Sequence, residues 1–195
     1  MRSRFNHSSR GFSLTEMLVV IALIGVFSLI SVPAFINMRN QSTFRADLNT
    51  FATDLRSARS YAISHTVDVR VELDAPGNSL TSNTYRFYSS VDRGTTWTAL
   101  TMPGAHGIGP GTQGNIKSIA GPVWIQSQTG LPDLPIATPD GKPDIVYHPN
   151  GGMDLAVNAT SATVVLRCAW KRIAYDTFTI GLSASGQFNS TSSHT

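Results

Sequence analysis

The chain has 195 residues, room for one ordinary domain and an accessory segment, which excludes a multidomain machine. Charged residues make up 14% of it while Ser and Thr together number 42, so disorder driven by excess charge is excluded and the surface is polar but charge-poor. The net charge of +3 sits in Arg2, Arg4 and Arg10, and from residue 11 onward twelve basic residues face twelve acidic ones, which removes the composition case for DNA.

Residues 1–10 are basic and polar, and an uncharged run follows over residues 17–36. Such a run, about 20 residues at roughly 1.5 Å each, matches the thickness of a bilayer core and predicts a membrane segment. The arginine-bearing leader stays cytoplasmic by the positive-inside rule, so the rest of the chain emerges outside the membrane. A cleavable secretory signal, with the small residues of 31–34 before the cut, is the competing reading. Two features weigh against it. Glu16 is a carboxylate at the edge of the apolar run, and the helical pattern continues past Pro33.

Beyond Pro33 the apolar residues Phe44, Leu48, Phe51, Leu55, Ala58 and Ala62 recur at steps of three and four, the stripe of an amphipathic helix. Its other face carries Arg45, Asp47, Asn49, Asp54 and Arg56. The spacing predicts one long helix of about 50 residues, kinked rather than ended by Pro33. Its second half is stable in water only if the rest of the chain buries the stripe.

The period then changes to two. Val67, Val69, Val71 and Leu73 alternate with Asp68, Arg70, Glu72 and Asp74, predicting a half-buried strand. Further strands are expected over residues 84–89, 97–101, 123–126, 145–147, 153–157, 163–170 and 176–182. None leads into a helix, so the sheet is expected to be mostly antiparallel. Residues 101–143 hold eight Gly and seven Pro and read as a long loop region. The polar tail 189–195 reads as frayed.

Chemistry-bearing motifs each have a structural reading. Ser90, Asp92, Gly94, Thr96 and Trp97 resemble the Asp-box hairpin of sialidase-type propellers, in which Asp caps the turn, Gly takes the positive φ and Trp pins it; a single copy is a turn. Gly109, Gly111 and Gly114 space as G-x-G-x-x-G, but Pro110 lies inside and no strand enters it, so no phosphate cradle forms. Five histidines (His7, His65, His106, His148, His194) show no metal-ligand spacing with each other or with Cys168. Cys168 lies in a strand-like apolar run and reads as buried. Asp140 to Asp144 reads as a plain turn, with a calcium loop as the open alternative. No cofactor site, metal site or catalytic constellation is found, which argues against an enzyme; a membrane-tethered enzyme with scattered residues is the rival class.

The strongest signal is Arg10, Gly11, Phe12, Ser13, Leu14, Thr15, Glu16, Met17, Leu18, Val19, Val20 and Ile21 ahead of the amphipathic helix. It resembles the class III signal of type IV pilins and type II secretion pseudopilins. The resemblance implies that a prepilin peptidase cuts after Gly11, that the new N-terminus Phe12 is methylated, and that Glu16 takes the family's fifth-position role in assembly. Further on the chain is similar to the GspH/FimT branch of minor subunits, through residues 54–63, Tyr147, His148, Pro149, Asn150 and Gly151, and Ser185, Gly186, Gln187 and Phe188. Family members serving DNA uptake carry basic residues after the late glycine, where this chain has Gln187, Phe188 and Asn189; that departure also speaks against DNA.

The expectation is therefore a pilin-like α+β subunit and not an enzyme. Residues 1–11 are the leader, 12–36 the transmembrane segment in contact with lipid, 37–65 the amphipathic helix and 66–195 a β-rich periplasmic domain. As a minor pseudopilin it initiates or tips a pseudopilus that exports folded proteins; the alternative is a minor type IV pilin for adhesion, motility or DNA uptake. The implied partners are the prepilin peptidase, other major and minor (pseudo)pilins and the inner-membrane assembly platform. Glu16 either pairs with the Phe12 amine of a neighbouring subunit, or with its own N-terminus or the headgroups.

Overall fold

A computed structural model describes residues 12–74, 77, 83–102, 115–119, 123–133, 142–169 and 175–194. Two compact units divide the chain, residues 1–40 and 41–195. A single helix, α1 (Leu14–His65), contains both the uncharged run and the amphipathic stripe, and its backbone stays helical through Pro33. Nine strands follow among the described residues: β1 (Asp68–Leu73), β2 (Thr84–Ser90), β3 (Thr98–Ala99), β4 (Ile116–Ser118), β5 (Val123–Thr129), β6 (Asp144–Tyr147), β7 (Ser161–Ala169), β8 (Tyr175–Ser183) and β9 (Phe188–His194).

All pair antiparallel, in two sheets. The first runs β3-β2-β1-β6 with β4 also on β2, and the second runs β5-β7-β8-β9. This is the helix followed by antiparallel sheet that the change of period predicts, and the α+β, pilin-like architecture that the resemblance implies.

The helical stripe is the centre of the core. Phe44 and Leu48 are 4% exposed, and Phe51, Leu55, Ala58 and Ala62 are fully buried against Val69, Val71, Phe87, Ile125, Leu166 and Ile180 from both sheets. Phe51 and Tyr85 meet edge to face with ring centroids 4.9 Å apart. Leu55→Ala should accordingly cost about 2 to 5 kcal/mol in urea unfolding, since a fully buried leucine loses both its transfer energy and its packing. A change within about 0.5 kcal/mol would mean that the stripe is not the core.

The structure corrects five sequence expectations. First, β1 is buried on both faces, not one: Asp68, Arg70 and Glu72 are 5%, 0% and 3% exposed. Cross-strand charges make this possible. Glu72 stands opposite Arg86 of β2 and Asp144 of β6. Arg70 donates from Nε to Asp144 Oδ1 at 2.6 Å and from Nη2 to Glu72 Oε2 at 3.2 Å, while Arg86 reaches Glu72 at 2.7 Å. Paired and hydrogen-bonded, these charges can be taken out of water. Second, Asp54 leaves the polar face of the helix. Lying beside Phe51 and Leu55 at the edge of the stripe, it accepts from Lys117 Nζ and from Tyr85 Oη, each at 2.6 Å.

Third, the expected strand at 153–157 reduces to an isolated bridge between Met153 and Tyr147. Fourth, the long loop region of residues 101–143 contains β4, which supplies Lys117. Fifth, the tail is not frayed: β9 pairs with β8 in unbroken register from Leu182↔Phe188 to Asp176↔His194. Its Ser and Thr residues carry no apolar alternation, so the backbone ladder, invisible to periodicity, holds it.

Candidate functional site

The residues expected to be processed and to act in assembly lie at the start of the chain. Gly11 falls outside the described residues, as do Gly109, Gly111, Gly114, Asp140 and Gly141. Phe12 is 75% exposed just ahead of α1. Ser13 and Glu16 close the helix terminus reciprocally: Ser13 N–H donates to Glu16 Oε2 at 3.0 Å, and Glu16 N–H donates to Ser13 Oγ at 3.2 Å. This is a capping box, and Ser-x-x-Glu is its signature in the sequence. It holds the Glu16 carboxylate over the first turn, at the positive end of the helix dipole and one turn from Phe12.

Behind the cap the helix is apolar all round and uncovered. Leu14, Leu18, Ile21, Ile24, Phe27 and Leu29 are between 58% and 82% exposed. Among the described residues no helix is long and apolar enough to cross a membrane.

The three later motifs converge on one arginine. Arg59 of α1 donates from Nε to the Gly151 carbonyl at 2.8 Å and from Nη2 to the Ser185 carbonyl at 2.9 Å. The turn around residues 148–152 is closed by Gly151 N–H to His148 O at 2.8 Å, and the β8–β9 turn by Gly186 N–H to Ser183 O at 2.8 Å. Gly151 and Gly186 both have positive φ, 80° and 72°. A Cβ on Gly186 would lie 2.1 Å from the Gly151 carbonyl, so the two turns are stacked in direct contact. Arg56, one turn before Arg59, lies over the Phe188 ring at 4.6 Å. Nothing in the sequence assigned Arg59 this role; its partners are backbone carbonyls, which carry no sequence signature.

His148 bridges two carboxylates, with Nδ1 2.8 Å from Asp68 and Nε2 2.9 Å from Asp154. Burial pulls its pKa down, but the two hydrogen-bonded carboxylates outweigh that and raise it above the ordinary value. The Asp92 turn forms a closed ring of bonds: Ser90 Oγ donates to Asp92 Oδ1 at 2.6 Å, Thr96 N–H to the same oxygen at 2.8 Å, Thr96 Oγ1 to Oδ2, and Gly94 N–H to Ser90 Oγ at 2.9 Å. These donors hold the Asp92 carboxyl down at about 2, as a turn cap requires.

Cys168 is fully buried, with its thiol pushed up to about 11 by burial. His65 stacks on Tyr61 at 3.8 Å. Of the Asp140–Asp144 turn, Asp144 is engaged with Arg70.

Comparison with known proteins adds two family matches. The family described as Type II transport protein GspH matches residues 47–186, which takes in the stripe from Leu48 onward, strands β1 to β8 and the Arg59 junction. The prokaryotic N-terminal methylation motif matches residues 6–32. The Type IV major pilin protein PilA of Myxococcus xanthus is 38% identical over 58 residues, 28% of this chain and 26% of that relative, so the chain spans about a quarter of its length. No solved structure matches the chain.

Proposed function

For a chain that belongs to the GspH family of type II transport proteins, and that is therefore a type IV pilin-like subunit, we propose the role of a minor pseudopilin. It helps initiate or tip the pseudopilus that exports folded proteins. The observation that carries this reading is the pairing, in one chain, of the methylation motif over residues 6–32 with the GspH match over 47–186. In this reading the prepilin peptidase cuts between Gly11 and Phe12 and methylates Phe12. Cutting removes the three leader arginines and leaves an amine on Phe12, so the anchor loses its basic hold on the cytoplasmic face and can be drawn outward.

Residues 12–36 anchor the chain in the inner membrane with the N-terminus cytoplasmic and the globular domain periplasmic. The uncovered apolar surface of the first 25 or so helical residues supports this, because lipid or neighbouring helices are the surroundings that suit it. Other pilins and the assembly platform are its partners, and the protein carries out no chemistry of its own. The Arg59 junction has a structural job here: it fixes the two glycine turns to α1, so that force applied along the helix is transmitted to the sheets.

A second reading, a minor type IV pilin, draws on the Myxococcus xanthus relative. Deleting the chain from its organism separates the two. Loss of secretion of folded exoproteins with surface pili retained is the expected result, and loss of pili with secretion retained would replace the first reading by the second.

A further inference from the structure

The outer edge of the second sheet stands open. Among the described residues no strand pairs with β9 on the side away from β8. Residues 189–193 are exposed, and β9 runs seven residues in unbroken register. It carries no Lys, Pro or bulge, the devices that natural edge strands use against pairing with another chain.

Beside this edge runs one face of α1. Residues Phe188, Ser190 and Ser192 are paired with Leu182, Ile180 and Phe178, so they share the sheet face that packs toward the helix. Only Phe188 is large, and Arg56 covers it. Two open recesses lie along the line, one of about 500 Å³ between Arg45, Leu48 and Ser192, and one of about 450 Å³ between Arg56, Arg59 and Phe188. Arg45 to Arg56 spans about 16 Å of helix, and Ser192 to Phe188 about 13 Å of strand, so helix face and strand edge run side by side.

The groove is positively charged. Arg45 and Arg56 are exposed, whereas the acidic residues of this helix stretch are turned elsewhere: Asp54 is buried on Lys117 and Asp47 is half-buried. Asp176, which lines the first recess, is buried and already bonded.

We propose that the groove between α1 and the edge of β9 binds an extended, acidic peptide segment of a partner protein, added to the second sheet as a fifth strand. Backbone groups of β9 supply the ladder, and carboxylates on the helix-facing side of the added strand meet Arg45 and Arg56. Carboxylates four residues apart, which in a strand point to the same face, lie about 13 Å apart, about 3 Å short of the spacing of those arginines and within the reach of their long side chains. This goes beyond the assembly role: it concerns a site complete in the single chain.

The probe is a seven-residue peptide of alternating Thr and Glu, given to the full purified chain in detergent, with a Thr/Lys peptide as control. The acidic peptide binds and protects the amides of residues 189–193 from hydrogen exchange, and the Lys peptide does not. Arg45→Glu with Arg56→Glu weakens the acidic peptide by about tenfold or more and favours the Lys peptide. Methylating alternate peptide nitrogens abolishes binding in one register and spares it in the other, because only one set faces β9.

No binding, equal binding of both peptides, protection elsewhere, or the same response to both methylated registers would each overturn the proposal. Secretion and piliation are measured in cells without the peptide, so failure here leaves the assembly reading to its own tests.

Discussion

Glu16→Leu is expected to leave leader cleavage and membrane insertion intact while the chain fails to be recovered with its partner pilins. A carboxylate near the centre of a bilayer costs about 2.5 to 3.5 kcal/mol, less toward the interface, so Glu16 needs a compensating partner. The uncut chain supplies one in the Ser13 amide, 3.0 Å from Oε2. Cutting at Gly11 would add a second, the Phe12 amine, either of the same chain or of a neighbour stacked in parallel. A charge pair between neighbours would set axial register, a role for buried polar groups better attested than net stability. Loss of the cap alone costs about 0.5 to 2 kcal/mol of helix stability, too little to unfold a helix of this length.

Glu16→Gln separates the two roles, since glutamine can still close the capping box without a charge. Failure of both variants to co-assemble assigns the effect to charge. Assembly by the Gln variant alone assigns it to the cap, and wild-type assembly by the Leu variant removes Glu16 from assembly in this subunit.

Gly186→Ala should destabilise the globular unit by about 2 to 5 kcal/mol in urea unfolding. Part of this, about 1 to 2 kcal/mol, is the left-handed backbone at φ 72°. The rest, about 1 to 3 kcal/mol, is the collision of the new methyl with the Gly151 carbonyl, a backbone atom that can move only by separating the two turns. Gly151→Ala, although its φ is 80°, meets only the Arg59 and Ile63 side-chain ends at 3.2 Å and should cost about 1 to 2 kcal/mol. Equal stability of the two variants would mean that the turns are not stacked as described.

The parts of this fold legible in the sequence were those written in side-chain periodicity. Phe44 through Ala62 announced both the helix and its buried face, and Val69, Val71 and Leu73 announced the first strand. What was not legible depended on partners distant in sequence. Arg70 and Glu72 looked like a solvent face because their partners, Asp144 and Arg86, come from two other strands, and Asp68 did because His148 lies 80 residues further on. Asp54 looked exposed because Lys117 lies 63 residues away, in a short strand inside a glycine- and proline-rich region. β9 was hidden because a Ser/Thr strand held by its backbone has the composition of a loose tail.

At the candidate site the methylation motif over residues 6–32 was readable in the sequence, whereas Arg59 carried no signal because it recognises carbonyls. The capping box was present in the letters Ser13 and Glu16 but was masked by the stronger functional meaning of the carboxylate.

Intact-mass measurement of the chain isolated from cells with an active prepilin peptidase tests the central claim most directly. The account predicts a mature protein that begins at Phe12 and carries one N-terminal methyl group. A chain that keeps Met1 in such cells, or one that begins near Phe35, would contradict it.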